Sequence, residues 1–366
     1  GKIPDILAEA KYNLDWMLKM QHLSGGVHHK MTPMRFCGMH VKPEADMDDQ
    51  YIYEITSTAT GNLAATAALA SRVMRQYDGP YSDKCLAAAE KAWKYLQANE
   101  RIVPEGGFKN PADTQTGNYG DGYDRDERFW AAVELFLATG KNEYHEYVLK
   151  NQSLWRPAVS SPAYWWEVNT LGMLAYAYSD IEGKDKDLND RIIGDLINHA
   201  DELTARIGEN GYLYVLSGPK DYLWGSNSIA LNYSINLLAA YDLAGKYGAG
   251  KVSAQKRDSY REAAAHSLHY MLGRNPFNMS YVTGLGTKSV INIHHRPSAA
   301  DAVPEPYPGL LAGGPNVKRN DDKLKELPFD TKPGRCYLDE LYSYASNEIA
   351  INWNAPLAYV LSYFIY

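Results

Sequence analysis

Ten stretches of this 366-residue chain repeat apolar side chains at helical spacing, and no alternating strand pattern of comparable length appears between them. They lie at about 4–20, 60–77, 83–98, 126–139, 142–151, 166–179, 186–206, 227–246, 253–273 and 346–365. A chain patterned in this way has to bury helix faces against helix faces, so the expected fold class is all-α. Alanine-rich tracts such as "NLAATAALASRVM" permit close helix–helix approach, and Gly140 and Gly245 stand where two of the runs should close. Hydrophobic residues make up 45% of the chain, enough core for one large domain or two ordinary ones, and no composition break marks a boundary. We therefore read residues 1–366 as one helical domain.

Two regions escape the periodicity: 21–59 and 275–345 are rich in Gly, Pro, His, Asn and Asp. Loops that long in a compact domain are usually functional. The net charge of −7, without a basic run, excludes nucleic acid as an expected partner. A membrane is not expected either, because no uninterrupted apolar run reaches bilayer length. Cys37, Cys85 and Cys336 are too few and too scattered for a disulfide framework or a zinc motif. The first residues, "GKIPDILAEAKYNLDWMLKM", carry neither an initiator Met nor a signal peptide, and we read them as a cut inside a longer polypeptide. The 29 tyrosines and eight tryptophans suit stacking on sugar rings, although large helical cores also use tyrosine heavily.

Several residues carry candidate chemistry. Glu348 sits in "SYASNEIAINWNAP", among aromatic and amide neighbours. An acid there can simply favour a helix start. Alternatively, Asn354 caps a helix with Pro356 in its first turn, which leaves Glu348 on a preceding loop. A poorly solvated carboxyl on such a loop would stay protonated and act as a general acid. Asp339 is a second acid in an aromatic setting. His294 and Arg296 alternate along "INIHHRPS" and in extended backbone would face one ligand together. "GDGYDRDERFW" gathers Asp121, Asp124, Asp126 and Glu127, hard oxygen donors that suit calcium or else merely favour a helix start.

"SYVTGLGTKSVINIHHR" and "YLDELYSYASNEIAINWNA" resemble the two signature segments of glycoside hydrolase family 9, the inverting cellulases. "DILAEAKYNLDWMLKMQ", "EITSTATGNLAATAALASRV", "DERFWAAVELFLATG" and "YMLGRNPFNMSYVTGLG" resemble further landmarks of that family, in family order, so the likeness runs nearly the whole chain. The resemblance implies an (α/α)6 barrel of twelve helices with long loops forming a substrate cleft, of which this chain would be about two helices short. It implies a secreted β-1,4-glucan hydrolase that needs no catalytic cofactor. In that family Glu348 corresponds to the general acid, Asp339 to its supporting acid, and His294 and Arg296 to residues holding the sugars. Trp353 and Trp224 correspond to aromatic platforms, with Tyr119 and Trp165 as further candidates. Asp126, Glu127 and Glu167 fall where some members bind structural calcium. The family's water-activating aspartate lies in an Asp-Ala-Gly-Asp segment absent from these 366 residues. That segment is expected upstream in the same gene product. The alternative is a non-catalytic glucan-binding protein on the same scaffold; an unrelated helical-barrel polysaccharide lyase would leave the second signature unexplained.

Overall fold

The computed structural model describes residues 3–246 and 252–365, and its main chain is mostly helical. Contacts gather the chain into two compact units. The first comprises residues 1–36, 48–159 and 163–192; the second comprises 37–47, 160–162 and 193–366.

In the first unit, α1 (Asp5–Lys19) follows Pro4, with an acid in its first turn and a lysine in its last, as the helix dipole favours. Two short antiparallel ladders come next: β1 (Val27–His28) pairs with β4 (Ile55–Thr56), and β2 (Met31–Thr32) with β3 (Tyr51–Ile52). The Thr56 hydroxyl then accepts the Ala59 N–H and starts α2 (Ser57–Met74), three residues earlier than the periodicity alone suggests. Ala64, Ala65, Ala67 and Ala68 of α2 are fully buried. Their small side chains let α2 lie against both α3 (Gly79–Ala98) and α4 (Arg125–Thr139). A Cβ on Gly61 would fall 2.6 Å from the Glu127 Cβ, which shows how closely α2 and α4 pass. Gly140 ends α4 in the left-handed conformation at φ 67, its N–H returning to the Phe136 carbonyl at 2.8 Å. Helices α5 (Asn142–Asn151) and α6 (Asn169–Tyr178) pack on α4. α7 (Lys186–Gly208) begins in this unit and ends in the second.

The second unit holds α8 (Ser226–Lys246) and α9 (Ala254–Met271), packed together, with α13 (Ile351–Ile365) against both. Gly245 is the penultimate residue of α8 and does not close it. Three short helices lie between α9 and α13: α10 (Arg296–Ala300), α11 (Asp322–Lys325) and α12 (Tyr344–Asn347). Tyr214, Tyr270, Tyr281 and Tyr337 are buried here, and the Tyr214 and Tyr270 rings stack at 3.6 Å. Much of the tyrosine excess is thus core.

The ten periodic runs correspond to the ten helices of ten or more residues among the described residues, with several ends displaced by three to five residues, at the starts of α2, α3, α6 and α13 among them. Asn354 is not a cap and Pro356 is not in a first turn, because α13 already begins at Ile351. Asn354 lies inside the helix, its Nδ2 donating to the Ala350 carbonyl and its Oδ1 accepting the Leu311 N–H. Pro356 is tolerated five residues into α13, where it forgoes one helical hydrogen bond.

Candidate active site

Glu348 occupies an extended link (φ −68, ψ 153) between α12 and α13. Neighbouring strands of main chain hold that link on both sides. The His294 N–H donates to the Asn347 carbonyl at 2.9 Å, and the Gly313 N–H donates to the Glu348 carbonyl at 3.0 Å. The Gly314 N–H adds a bond to the Ser346 carbonyl at 2.8 Å. One turn earlier, the buried Asp321 carboxylate accepts the Ala345 N–H at 2.8 Å and the Ser343 hydroxyl at 3.3 Å. Asp321 also caps α11 through the Leu324 N–H at 2.7 Å, so α11 and α12 are anchored by one side chain.

The Glu348 carboxyl is half-buried, and loss of solvation pushes its pKa up to about 7. The indole N–H of Trp224, donating to Oε2 at 3.2 Å, and the positive charge of Arg296 both oppose that rise. Near neutrality the group therefore exists in both protonation states.

Asp339 is a hub for N–H donors. Its carboxylate accepts the Ile291 N–H at 3.0 Å, the Asn292 N–H at 2.8 Å and the Asn347 side-chain amide at 3.2 Å. Asn347, directly before Glu348, is fully buried. Its Oδ1 accepts the Tyr337 hydroxyl at 2.5 Å and its Nδ2 donates to the Asn292 carbonyl at 2.7 Å. His294 faces the Leu341 carbonyl through Nδ1 at 2.7 Å. A carbonyl only accepts, so Nδ1 carries the proton. Burial holds this imidazole below its ordinary pKa, so at neutral pH it is uncharged, with Nε2 as the acceptor.

The expectation that His294 and Arg296 share one extended strand is corrected here. His294 is extended, in a bridge with Glu348, but Arg296 opens α10 with Pro297 beside it. Proline in the first turn presets helical backbone. The Arg296 Nε donates to the Cys37 carbonyl at 2.9 Å. The Trp353 indole lies between two glycines: a Cβ on Gly225 would sit 2.8 Å from its Nε1, and one on Gly313 would sit 2.8 Å from its Cζ3. Gly225 also has φ +79, a left-handed value that favours glycine.

Glu348, Asp339, His294, Arg296, Trp224 and Trp353 thus belong to the second unit. Tyr119 and Trp165 belong to the first, where both are exposed. Trp165 meets Trp166 edge-on, with ring centroids 5.1 Å apart, and Trp166 stacks on Tyr164 at 4.9 Å.

The acidic cluster is also in the first unit. Asp126 and Glu127 are buried in the first turn of α4. Asp126 accepts the Val168 N–H at 2.8 Å through Oδ2, and Asp121 accepts the Tyr123 N–H at 3.0 Å through Oδ1. The other oxygens, Asp121 Oδ2 and Asp126 Oδ1, together with Glu127 Oε2, are buried without a hydrogen-bond partner. Burial and the neighbouring acids push Glu127 well up and Asp121 to about 6. Glu167 pairs its main chain with Tyr164. Orphaned carboxylate oxygens are donors a hard cation would satisfy. However, among the described residues no group of three or more His, Cys, Asp and Glu is spaced to hold a metal ion. The donor type fits calcium, while side chains alone do not complete a coordination shell.

Asn347, Asn292, Tyr337 and Asp321 were not singled out from sequence. The one available signal was an amide directly before the lone acid in "SNE".

Comparison with known proteins identifies the family and the fold. The model for Glycosyl hydrolase family 9 matches residues 1–361. A cellodextrinase of Butyrivibrio fibrisolvens is 34% identical over 99% of this chain and 65% of its own length. A xyloglucan-specific endo-beta-1,4-glucanase of Bacteroides ovatus is 35% identical over 98% of this chain and 60% of its own. The crystal structure of a family 9 endoglucanase, J30, superposes with a TM-score of 0.90 at 33% identity, over 99% of this chain and 64% of that one. The chain therefore spans less than two thirds of the length of these relatives. Its fold is all-α, of the (α/α)6 type, and the chain belongs to glycosyl hydrolase family 9.

Proposed function

We propose that this chain hydrolyses β-1,4-glucosidic bonds in cellulose or a related β-glucan, with inversion and with Glu348 as general acid. The observation that carries the reading is a half-buried carboxyl pushed up to about 7, on a main-chain link hydrogen-bonded from both sides. Glu348 gives its proton to the glycosidic oxygen as the bond from C1 to that oxygen breaks. Water adds to C1 from the opposite face and passes its proton to a second carboxylate. Glu348, left ionised, recovers a proton from solvent. The second carboxylate stands roughly 6.5–9.5 Å from the acid in inverting glycosidases. We assign it to the family's Asp-Ala-Gly-Asp segment, which these 366 residues do not contain.

The remaining residues bind and orient. Neutral His294 offers Nε2 to a sugar hydroxyl, and Arg296 offers its planar cation beside it. Asp339 fixes the 291–292 loop and the Asn347 amide. Trp353 and Trp224 present faces on which sugar rings stack in the second unit, and Tyr119 and Trp165 present such faces separately in the first. The relatives' names, cellodextrinase and xyloglucan-specific endoglucanase, support a β-1,4-glucan as the substrate class. Calcium, held by Asp126 and Glu127 with Glu167, would be structural and would take no part in the chemistry. Export from the cell belongs to the same proposal.

The test is Glu348→Gln in the full-length protein. Hydrolysis of soluble cello-oligosaccharides should fall by about 10²–10⁴-fold while their binding persists. Wild-type turnover in that variant would remove Glu348 as the acid. Tight binding without hydrolysis by the unmutated protein would favour the glucan-binding alternative.

A further inference from the structure

We propose that Trp224 is a positioning residue for the general acid: its indole N–H takes Glu348 Oε2 and leaves the transferable proton on Oε1. The inference rests on Glu348 being the acid and adds which oxygen delivers the proton. An indole nitrogen donates and never accepts. With that N–H 3.2 Å from Oε2, a proton on the same oxygen would oppose another proton, so the neutral carboxyl carries its hydrogen on Oε1. The contact spans 124 positions of sequence and no local turn produces it.

The indole is held in this orientation by its surroundings. Gly225, directly after Trp224, takes φ +79, and the Trp353 indole fills the space a Cβ there would need. The Tyr344 ring lies 5.6 Å from that of Trp224, and Tyr344 belongs to the short helix that leads into Glu348. The acid and its donor are therefore set by one group of contacts.

The edge and the face of this indole have separable uses. The edge is committed to Glu348, whereas the side chain remains 41% exposed and keeps a face for a sugar ring. The N–H dipole also favours negative charge on Glu348, the charge that appears when the proton leaves. Burial raises the resting affinity for the proton, and the indole eases its release.

The experiment removes the edge and keeps the face. In Trp224→Phe the carboxylate loses a donor, so the acid holds its proton to higher pH. The alkaline limb of kcat/KM should move up by about half to one pH unit, with KM within about threefold. If the phenylalanine variant does not fold, benzothienylalanine at position 224 keeps the ring shape with sulfur in place of N–H, and the same shift is expected. A limb that stays within about 0.2 pH unit while KM rises would overturn the proposal and leave a stacking platform. A carbon-13 titration of the Glu348 carboxyl, assigned with Glu348→Gln, reads the same shift without any turnover. If the unmutated protein hydrolyses no glucan, the proposed function fails, while this titration still decides the role of Trp224.

Discussion

Asn347→Ala tests how firmly Glu348 is held. The amide makes three side-chain hydrogen bonds, to the Tyr337 hydroxyl, the Asn292 carbonyl and the Asp339 carboxylate. The Tyr337 hydroxyl would lose its acceptor inside the core, at a cost of about 1–3 kcal/mol for a buried unsatisfied group. Asn292 and Asp339 lie nearer the surface and regain water, so each loss costs about 0.5–1 kcal/mol. The sum is a destabilisation of roughly 2–5 kcal/mol. It should appear as a lower urea midpoint, followed by near-ultraviolet circular dichroism. Because Asn347 adjoins the acid, a small displacement should also lower kcat by about 10–100-fold while changing KM little. A double-mutant cycle with Tyr337→Phe isolates the buried bond. The two changes together should cost at least about 1 kcal/mol less than the sum of each alone. Additivity within about 0.5 kcal/mol, with kcat unchanged, would refute the idea that this amide orients Glu348.

Gly225→Ala adds a Cβ 2.8 Å from the Trp353 Nε1 in backbone of positive φ. It should lower stability by about 2 kcal/mol or more and change tryptophan fluorescence; a silent substitution would show that the Trp353 cradle is loose. For the acidic cluster, millimolar calcium should raise Tm and a chelator should lower it, with the response lost in Asp126→Asn. An unmoved Tm in the unmutated protein would remove calcium from the account.

The sequence was informative where structure repeats and uninformative where it does not. Helical runs are legible because a buried face recurs every three to four residues, and the alanine tract of α2 announces close packing before any partner is known. The start of α13 was missed because proline is a strong local signal and its tolerance five residues into a helix depends on tertiary context. Glu348 and Asp339 stood out because acids seldom keep aromatic company. Their connections did not: Trp224 reaches Glu348 across 124 positions, and Asp339 reaches Ile291 across 48. Buried amides such as Asn347 have no periodicity, and sequence alone does not distinguish them from loop residues. The bend that sends Arg296 into α10 likewise depends on a proline whose effect there is set by the contacts around it.

Glu348 stands on a mount made largely of peptide groups: His294, Gly313 and Gly314 hold residues 346–348 through main-chain hydrogen bonds that need no particular side chain at 348. Residue 348 can therefore be exchanged without dismantling what holds it. If Glu348 is the acid, a substitution there would remove the chemistry while leaving the peptide ladder at 346–348 intact, and a single reversal would return it.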